Sequence, residues 1–116
     1  MLPANVQFLE SVARELRDIR EEDREVFAAV VGALSLLGHA GPPVGTRRYP
    51  VKLPSDGKTV ELMMFGFEVA GWRILFEGER IVTRTTEGWN LVRGMPRAGE
   101  GFVYTIWAIT KLTGST

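Results

Sequence analysis

Apolar residues in the first third of the chain recur at steps of three and four, the spacing of one face of an α-helix. The first set predicts a helix over residues 5–20, with Asn5 as its N-cap. A second set predicts a helix from about residue 22 to residue 37, ended by Gly38. Because the link between the two is short and polar, we expect an antiparallel helical hairpin.

After a glycine- and proline-rich segment, residues 38–46, the apolar period changes to two, which is typical of strands. Asp56-Gly57 and Glu77-Gly78 are predicted hairpin turns, because both supply a residue that tolerates positive φ. Residues 87–101 are rich in glycine and are read as irregular. The predicted strands cover residues 49–53, 59–67, 72–76, 80–86 and 102–112.

These elements predict the α+β class. An N-terminal helical hairpin, residues 1–38, packs on a four- to five-stranded antiparallel sheet, residues 47–112. A length of 116 residues is typical of a single domain.

One cation interrupts the apolar strand "GWRILF". Alternation places Trp72, Ile74 and Phe76 on the face that the helices cover, so Arg73 should point away from them. If Arg84 and Lys52 share the face of Arg73, the three form a cationic patch suited to phosphate. The alternative is that Arg73 only pairs with Glu61 or Glu68 across the sheet.

Charge is distributed unevenly although the formal net charge is zero. Residues 1–39 carry three more acids than bases, and residues 40–116 carry three more bases than acids. A basic half suits a nucleic-acid partner, although two ordinary solvated surfaces give the same numbers. The predicted nucleic-acid contacts in this half are Arg47, Arg48, Arg80 and Arg93.

Several chemistries are excluded by composition. The chain has no cysteine, so it holds no disulfide and no cysteine-ligated metal. Its one histidine, His39, excludes a two-histidine metal site, and we expect neither metal nor cofactor. No apolar run reaches the ~20 residues that span a membrane, and we expect a cytoplasmic protein. Trp89, Tyr104 and Trp107 either stack on bases or pack in the core.

A helical hairpin, a Gly/Pro loop and a meander containing "GWRILFEGERIV" together resemble the RelE/ParE toxin superfamily, especially its HigB-like and phage-derived branch. Residues 72–76 match the family's aromatic-Arg-hydrophobic-hydrophobic-aromatic motif, and residues 77–82 match the turn and strand that follow. Residues 60–65, "VELMMF", match a further strand. The family's first strand, before the helices, is reduced here to "VQF", which the periodicity assigns to the first helix.

The resemblance implies a small cytoplasmic toxin that an antitoxin protein neutralises. RelE-like members cleave mRNA on the ribosome without a metal, and ParE-like members inhibit DNA gyrase. Arg73 matches the family's central-strand arginine, and Lys52 matches a basic residue of the first meander strand. The family's proton donor has no clear match here, and Arg84 and Arg93 are the best substitutes. We therefore expect a metal-independent, ribosome-dependent mRNA endoribonuclease whose catalytic residues are Arg73, Arg84 and Lys52.

Two alternatives stay open at this point. The first is a non-catalytic protein-binding module, such as a phage or mobile-element product that blocks a host enzyme. The second is a ParE-like gyrase inhibitor. In the first case the glycine-rich loop at 94–101 and the apolar last strand, from Phe102, would serve a partner or a homodimer by edge pairing.

Overall fold

The computed structural model describes residues 2–85, 88–93 and 102–112, with the backbone alone for residues 80–85 and 88–93. These ranges contain two helices and six strands, and the α+β class is confirmed. In chain order the elements are β1 (Val6–Phe8), α1 (Glu10–Glu22), α2 (Arg24–Ala40), β2 (Arg47–Ser55), β3 (Lys58–Val69), β4 (Trp72–Thr85), β5 (Gly88–Arg93) and β6 (Phe102–Lys111).

The start of the first predicted helix is wrong, because residues 6–8 form strand β1. β1 runs parallel to β6, with Val6 opposite Tyr104. The backbone N–H of Leu9 donates to the carbonyl of Ile106, and helix α1 begins only at Glu10. Pairing with β6, a strand almost a hundred residues away, overrides the helical spacing of this short segment.

Asn5 is not the predicted N-cap. Its side-chain Nδ2 donates to the carbonyl of Gly38 at 2.9 Å and to the carbonyl of Phe102 at 3.2 Å. The amide therefore joins the last turns of α2 to the first residue of β6. Helix α1 begins instead after Leu9, which provides no side-chain cap.

Helix α2 continues through its predicted stop at Gly38 and ends at Gly41, whose φ is 85°. Asp23 caps its first turn, since Oδ1 accepts from the backbone N–H groups of Glu25 and Val26. Gly38 has a packing role, because a Cβ there would lie 2.8 Å from atoms of Pro3, Asn5 and Val6.

The strand order is β1-β6-β4-β3-β2, with β5 paired to β4. Since β1 is parallel to β6 and the other pairs are antiparallel, the sheet is mixed rather than antiparallel as expected. β6 has β1 on one side and β4 on the other along residues 104–106. It is therefore not an edge strand there, but β1 does not reach residues 107–111 of β6, and the homodimer through the last strand stays a prediction.

The predicted turn at Glu77-Gly78 is wrong, because β4 runs through it without a break. The turn that precedes β4 is Ala70-Gly71, whose φ angles are 50° and 82°. The predicted turn at Asp56-Gly57 is confirmed, with φ angles of 49° and 76°. Strand β5 lies in the segment expected to be irregular, and residues 94–101 lie outside the described ranges.

The sheet divides along one edge of β4. Residues 65–69 of β3 pair with residues 72–76 of β4, and β5 pairs with β4 from Glu79 onward. At Glu79, β4 pairs with β6 along one edge and with β5 along the other. β5 therefore pairs along the same edge of β4 that β3 occupies nearer the start of the strand. The remainder of β2 and β3, residues 50–63, projects as a two-stranded hairpin that we call the arm.

The core lies between the helices and one face of the sheet. At its centre the ring of Phe76 has centroid distances of 6.3, 5.8 and 6.0 Å to Phe65, Phe67 and Tyr104. Both helices contribute buried apolar residues, which are Val12, Leu16 and Ile19 of α1 with Val30, Leu34 and Leu37 of α2. Within the described ranges, neither helix has the length and apolar character needed to cross a membrane.

Two glycines of α2 provide a matched test of this packing. Gly32→Ala should raise the free energy of unfolding by about 0.5–1 kcal/mol, because alanine is the better helix former and nothing lies within 4 Å of the new Cβ. Gly38→Ala should lower it despite the same propensity gain, because of the 2.8 Å contacts. Urea unfolding measures both, and equal signs would contradict the packing around Asn5.

Burial raises the pKa of Tyr104 above its ordinary value of 10.0. The unfolded chain then releases the phenolic proton at lower pH than the folded one. The stability linked to this group is complete below about pH 10 and is lost as pH rises through the folded pKa. Above pH 10, the melting temperature of the natural protein should fall more steeply with pH than that of Tyr104→Phe. Parallel melting profiles of the two proteins would contradict the raised pKa of Tyr104.

Candidate functional site

Arg73 lies on the sheet face that the helices leave uncovered. Its neighbours Trp72 and Ile74 are buried in the core, as the alternation predicts. The Arg73 side chain is 36% exposed. The predicted outward direction of this cation is therefore confirmed.

Gly66 makes room for the aromatic ring that supports Arg73. It pairs with Leu75 of β4, and a Cβ there would lie 2.8 Å from Cδ2 of Leu75 and 2.9 Å from Cδ2 of Tyr49. The Tyr49 ring can therefore approach the backbone of β3 closely. The Arg73 guanidinium carbon stands 4.2 Å from the centre of this ring, within the range of a cation–π contact.

Glu68 forms an ion pair with the same guanidinium. Arg73 Nη2 donates to Glu68 Oε2 at 3.0 Å, and the two residues are directly opposite in the β3–β4 register. The alternative expectation of a cross-strand pair is confirmed for Glu68. Since both side chains are more than a third exposed, the pair contributes only about 0.2–1 kcal/mol. Arg73 Nε is buried and has no hydrogen-bond partner in the described structure.

Arg47 joins the same face. It lies two residues before Tyr49 in β2, so both side chains are on the same face of the sheet. We call Arg47, Tyr49, Glu68 and Arg73 the cation–aromatic cluster. Except for Arg73, these residues line a groove of about 330 Å³ between α2, the loop before β2 and the end of β3. Its apolar lining is Ala33, Leu36, Pro43, Val44, Phe67 and Val69.

Lys52 and Arg48 do not join this cluster. Lys52 pairs with Glu61 and Arg48 pairs with Phe65, so both lie on the opposite face from Tyr49. The Arg48 guanidinium stands 5.2 Å from the centre of the Phe65 ring on the helix side. The expected phosphate site of Arg73 with Lys52 is therefore wrong, and of the predicted nucleic-acid contacts Arg48 faces away from it.

Arg84 is also remote from Arg73. Both belong to the uninterrupted strand β4, and eleven residues of strand span roughly 35 Å before twist and bending. A register shift between Ile81 and Thr83 also interrupts the alternation on which a shared face depends. The two arginines therefore cannot contact one phosphate. In the backbone register Arg80 lies opposite Val92 and Arg93 opposite Glu79, and their side chains lie outside the description.

Of the aromatic residues predicted to stack on bases or pack in the core, none belongs to the cation–aromatic cluster. Tyr104 is 1% exposed in the core, and Trp107 is half-buried with an Nε1 that has no described hydrogen-bond partner. The side chain of Trp89 lies outside the description. Sequence analysis missed Tyr49 and Gly66. The signal was present, because a two-residue turn at Asp56-Gly57 places Tyr49 opposite Met64 and Arg47 opposite Gly66.

Within the described residues, no group of three or more histidine, aspartate or glutamate side chains is arranged to hold a metal ion. Comparison with protein-family models finds no match, and neither curated proteins nor solved structures match the chain. The chemistry of the cation–aromatic cluster therefore rests on its geometry.

Gly66→Ala tests whether Tyr49 packs over this backbone. The new methyl group meets the Ile74 carbonyl as well as the Tyr49 ring, so we expect a loss of about 1–3 kcal/mol in the free energy of unfolding. The loss should be smaller when Tyr49→Ala is already present, because one of the crowded groups is gone. Urea unfolding of the four-member cycle measures this, and equal losses in both backgrounds would contradict the packing.

Proposed function

We propose that this chain is a RelE-like toxin, a metal-independent, ribosome-dependent mRNA endoribonuclease whose RNA binds at the cation–aromatic cluster. The observation that carries the proposal is the position of Arg73, partly exposed on the uncovered face and stacked on Tyr49. An antitoxin protein and mRNA on the ribosome are the partners that the proposal includes.

The cluster has the groups that single-stranded RNA requires. Guanidinium groups bind phosphate through paired N–H donors, and Arg73 and Arg47 supply two of them on one face. The Tyr49 ring supports the guanidinium of Arg73 from below and holds it toward the uncovered face. Arg73 donates one hydrogen bond from Nη2 to Glu68, and its Nε is buried, so the other N–H groups of Nη1 and Nη2 are the donors that a phosphate oxygen would use.

The proposed reaction is attack of the 2′-oxygen on the adjacent phosphorus. Glu68 is the carboxylate beside Arg73, and it accepts the 2′-hydroxyl proton. The bond from phosphorus to the 5′-oxygen breaks, and that oxygen takes a proton from water. Arg73 stabilises the negative charge that develops on the phosphate oxygens. Lys52 and Arg84 have no part in this scheme, because they lie elsewhere in the sheet.

The element order adds support of a different kind. The short strand β1 stands before the two helices, where the resemblance expects a first strand. The chain then continues through a meander that places the Trp72–Phe76 motif residues in the centre of the sheet, between β3 and β6. Strand, two helices and meander together fit the proposed family better than the sequence pattern alone.

A second candidate is a non-catalytic module that binds and blocks another protein. The specific observation is the arm, where Val60, Leu62 and Met63 are 40%, 42% and 58% exposed. Apolar side chains at this exposure on a projecting hairpin are typical of contact surfaces. In this candidate Arg73 has only a structural role.

Growth arrest and RNA cleavage ends separate the two. Expression of the natural chain in bacteria should stop growth and produce new 5′ ends within coding regions. Arg73→Ala should reduce cleavage by about 10²–10³-fold, the usual effect of losing one donor to a developing charge. Arg48→Ala is the matched control, because it removes another ring-stacked arginine from the opposite face and should leave cleavage unchanged.

The outcome that opposes the nuclease is growth arrest without new RNA ends, unaffected by Arg73→Ala. If Leu62→Lys on the arm then relieves the arrest, the binding module is favoured. Circular dichroism and thermal melting of each variant show that the fold is retained. Arg73→Lys distinguishes a charge requirement from the paired donors, which lysine does not supply.

A further inference from the structure

A groove between the two helices presents apolar surface that the proposed nuclease does not use. Its volume is about 540 Å³, within the range of ligand-binding clefts. Its described apolar lining is Leu2, Phe8, Ala13, Leu16, Phe27 and Val31. Of these only Leu16 is buried, so the helical hairpin and the segment before it leave apolar surface open to solvent here. None of these residues belongs to the cation–aromatic cluster, and the groove is therefore a separate candidate site.

The charged residues that line this groove are both cations. They are Arg17 and Arg20 of α1, and none of the described lining residues is acidic. Neither arginine has an ion pair or a side-chain hydrogen bond in the described structure, whereas Arg14 on the same helix pairs with Glu10 at 3.4 Å. Two unpaired guanidinium groups beside apolar surface favour an anion that also has an apolar part.

Helix α1 presents opposite charges on two of its sides. The residues that it contributes to the groove have the spacing i, i+3, i+4 and i+7 from Ala13 to Arg20, which places them on one side. Four acids of α1 line a different cavity, and these are Glu15, Asp18, Glu21 and Glu22. The groove is therefore cationic although the first 39 residues carry more acids than bases.

The cations lie toward one end of the groove. Arg20 stands roughly 10 Å beyond Ala13 along α1, from the helical rise per residue. Phe8 lies at the other end, two residues before α1 begins. An acidic amphipathic helix, with charges along its whole length, would leave most of them without a cation. A single-chain carboxylate has the same division as the groove, with one charged end and one apolar end.

We propose that the groove binds one molecule of a medium-chain fatty acid. The carboxylate lies against Arg17 and Arg20, whose guanidinium N–H groups donate to its oxygens. The alkyl chain follows Ala13 and Val31 toward Phe8, whose ring is 37% exposed, and removes this apolar surface from water. The site is independent of the proposed RNA site, because the two share no residue.

Calorimetric titration of the natural chain with decanoate, below the concentration at which decanoate forms micelles, tests the site. We expect saturation at one decanoate per chain. Arg17→Gln and Arg20→Gln should each weaken binding about tenfold, the usual effect of losing a hydrogen bond between charged groups. Arg14→Gln is the matched control, because it removes a cation of the same helix that does not line the groove, and it should leave the affinity unchanged.

Two further comparisons test the apolar half of the site. Octanoate, which lacks two methylene groups, should bind about tenfold more weakly than decanoate, because each buried methylene contributes up to about fourfold. Ala13→Leu keeps both arginines but fills part of the groove, so it should also weaken decanoate binding. Leucine is a good helix former, and thermal melting of each variant verifies that the fold is retained.

The proposal is overturned if decanoate does not saturate the chain, if Arg17→Gln and Arg20→Gln bind it like the natural chain, or if uncharged decanol binds as tightly. It is also overturned if the chain binds phosphatidylglycerol vesicles but no decanoate, since the groove would then face a lipid surface. Decanoate binding by a chain that neither arrests growth nor cleaves RNA supports the fatty-acid site and opposes only the nuclease.

Discussion

Two tight turns fix the register of β2, β3 and β4, and that register decides which side chains meet. Both Asp56-Gly57 and Ala70-Gly71 adopt positive φ at both central residues, the conformation that joins antiparallel strands through two residues. The first turn places Arg47 opposite Gly66, and the second places Glu68 opposite Arg73. A slip of one residue at either turn would move Tyr49 or Arg73 to the other face.

The sequence predicted those features that depend on local pattern. The apolar faces of both helices, the Asp56-Gly57 turn and the outward direction of Arg73 all follow from a period of two or of 3.6. The three-residue strand β1 could not be predicted in this way, because three residues fit a period of two as well as one of 3.6. Only its pairing with β6 makes it a strand. Ala70-Gly71 also carried no strong signal, since alanine rarely adopts the φ of 50° that it has here.

Sequence analysis named Arg73, Arg47 and Glu68 of the cluster, but it grouped Arg73 with two cations that do not lie beside it, for a physical reason. Alternation within a strand shows which residues share a face of that strand, but it does not relate one strand to the next. Lys52 was grouped with Arg73 without a register, and the observed pairing with Glu61 sets it on the opposite face. Arg84 was grouped with Arg73 by assuming a turn at Glu77-Gly78. The continuous strand removes that turn and separates the two cations.

The division of the sheet leaves the arm with less packing than the other strands have. A two-stranded hairpin alone is marginally stable in water, because it buries little apolar surface against the entropy of ordering its backbone. The arm has no helix over it, since the core residues of α1 and α2 meet the sheet where β3 still pairs with β4. Two prolines protect one of its edges, and the other edge has neither a proline nor a neighbouring strand in the described structure. Val60 and Leu62 therefore stay exposed on the arm, without the apolar layer that the helices provide for the rest of the sheet.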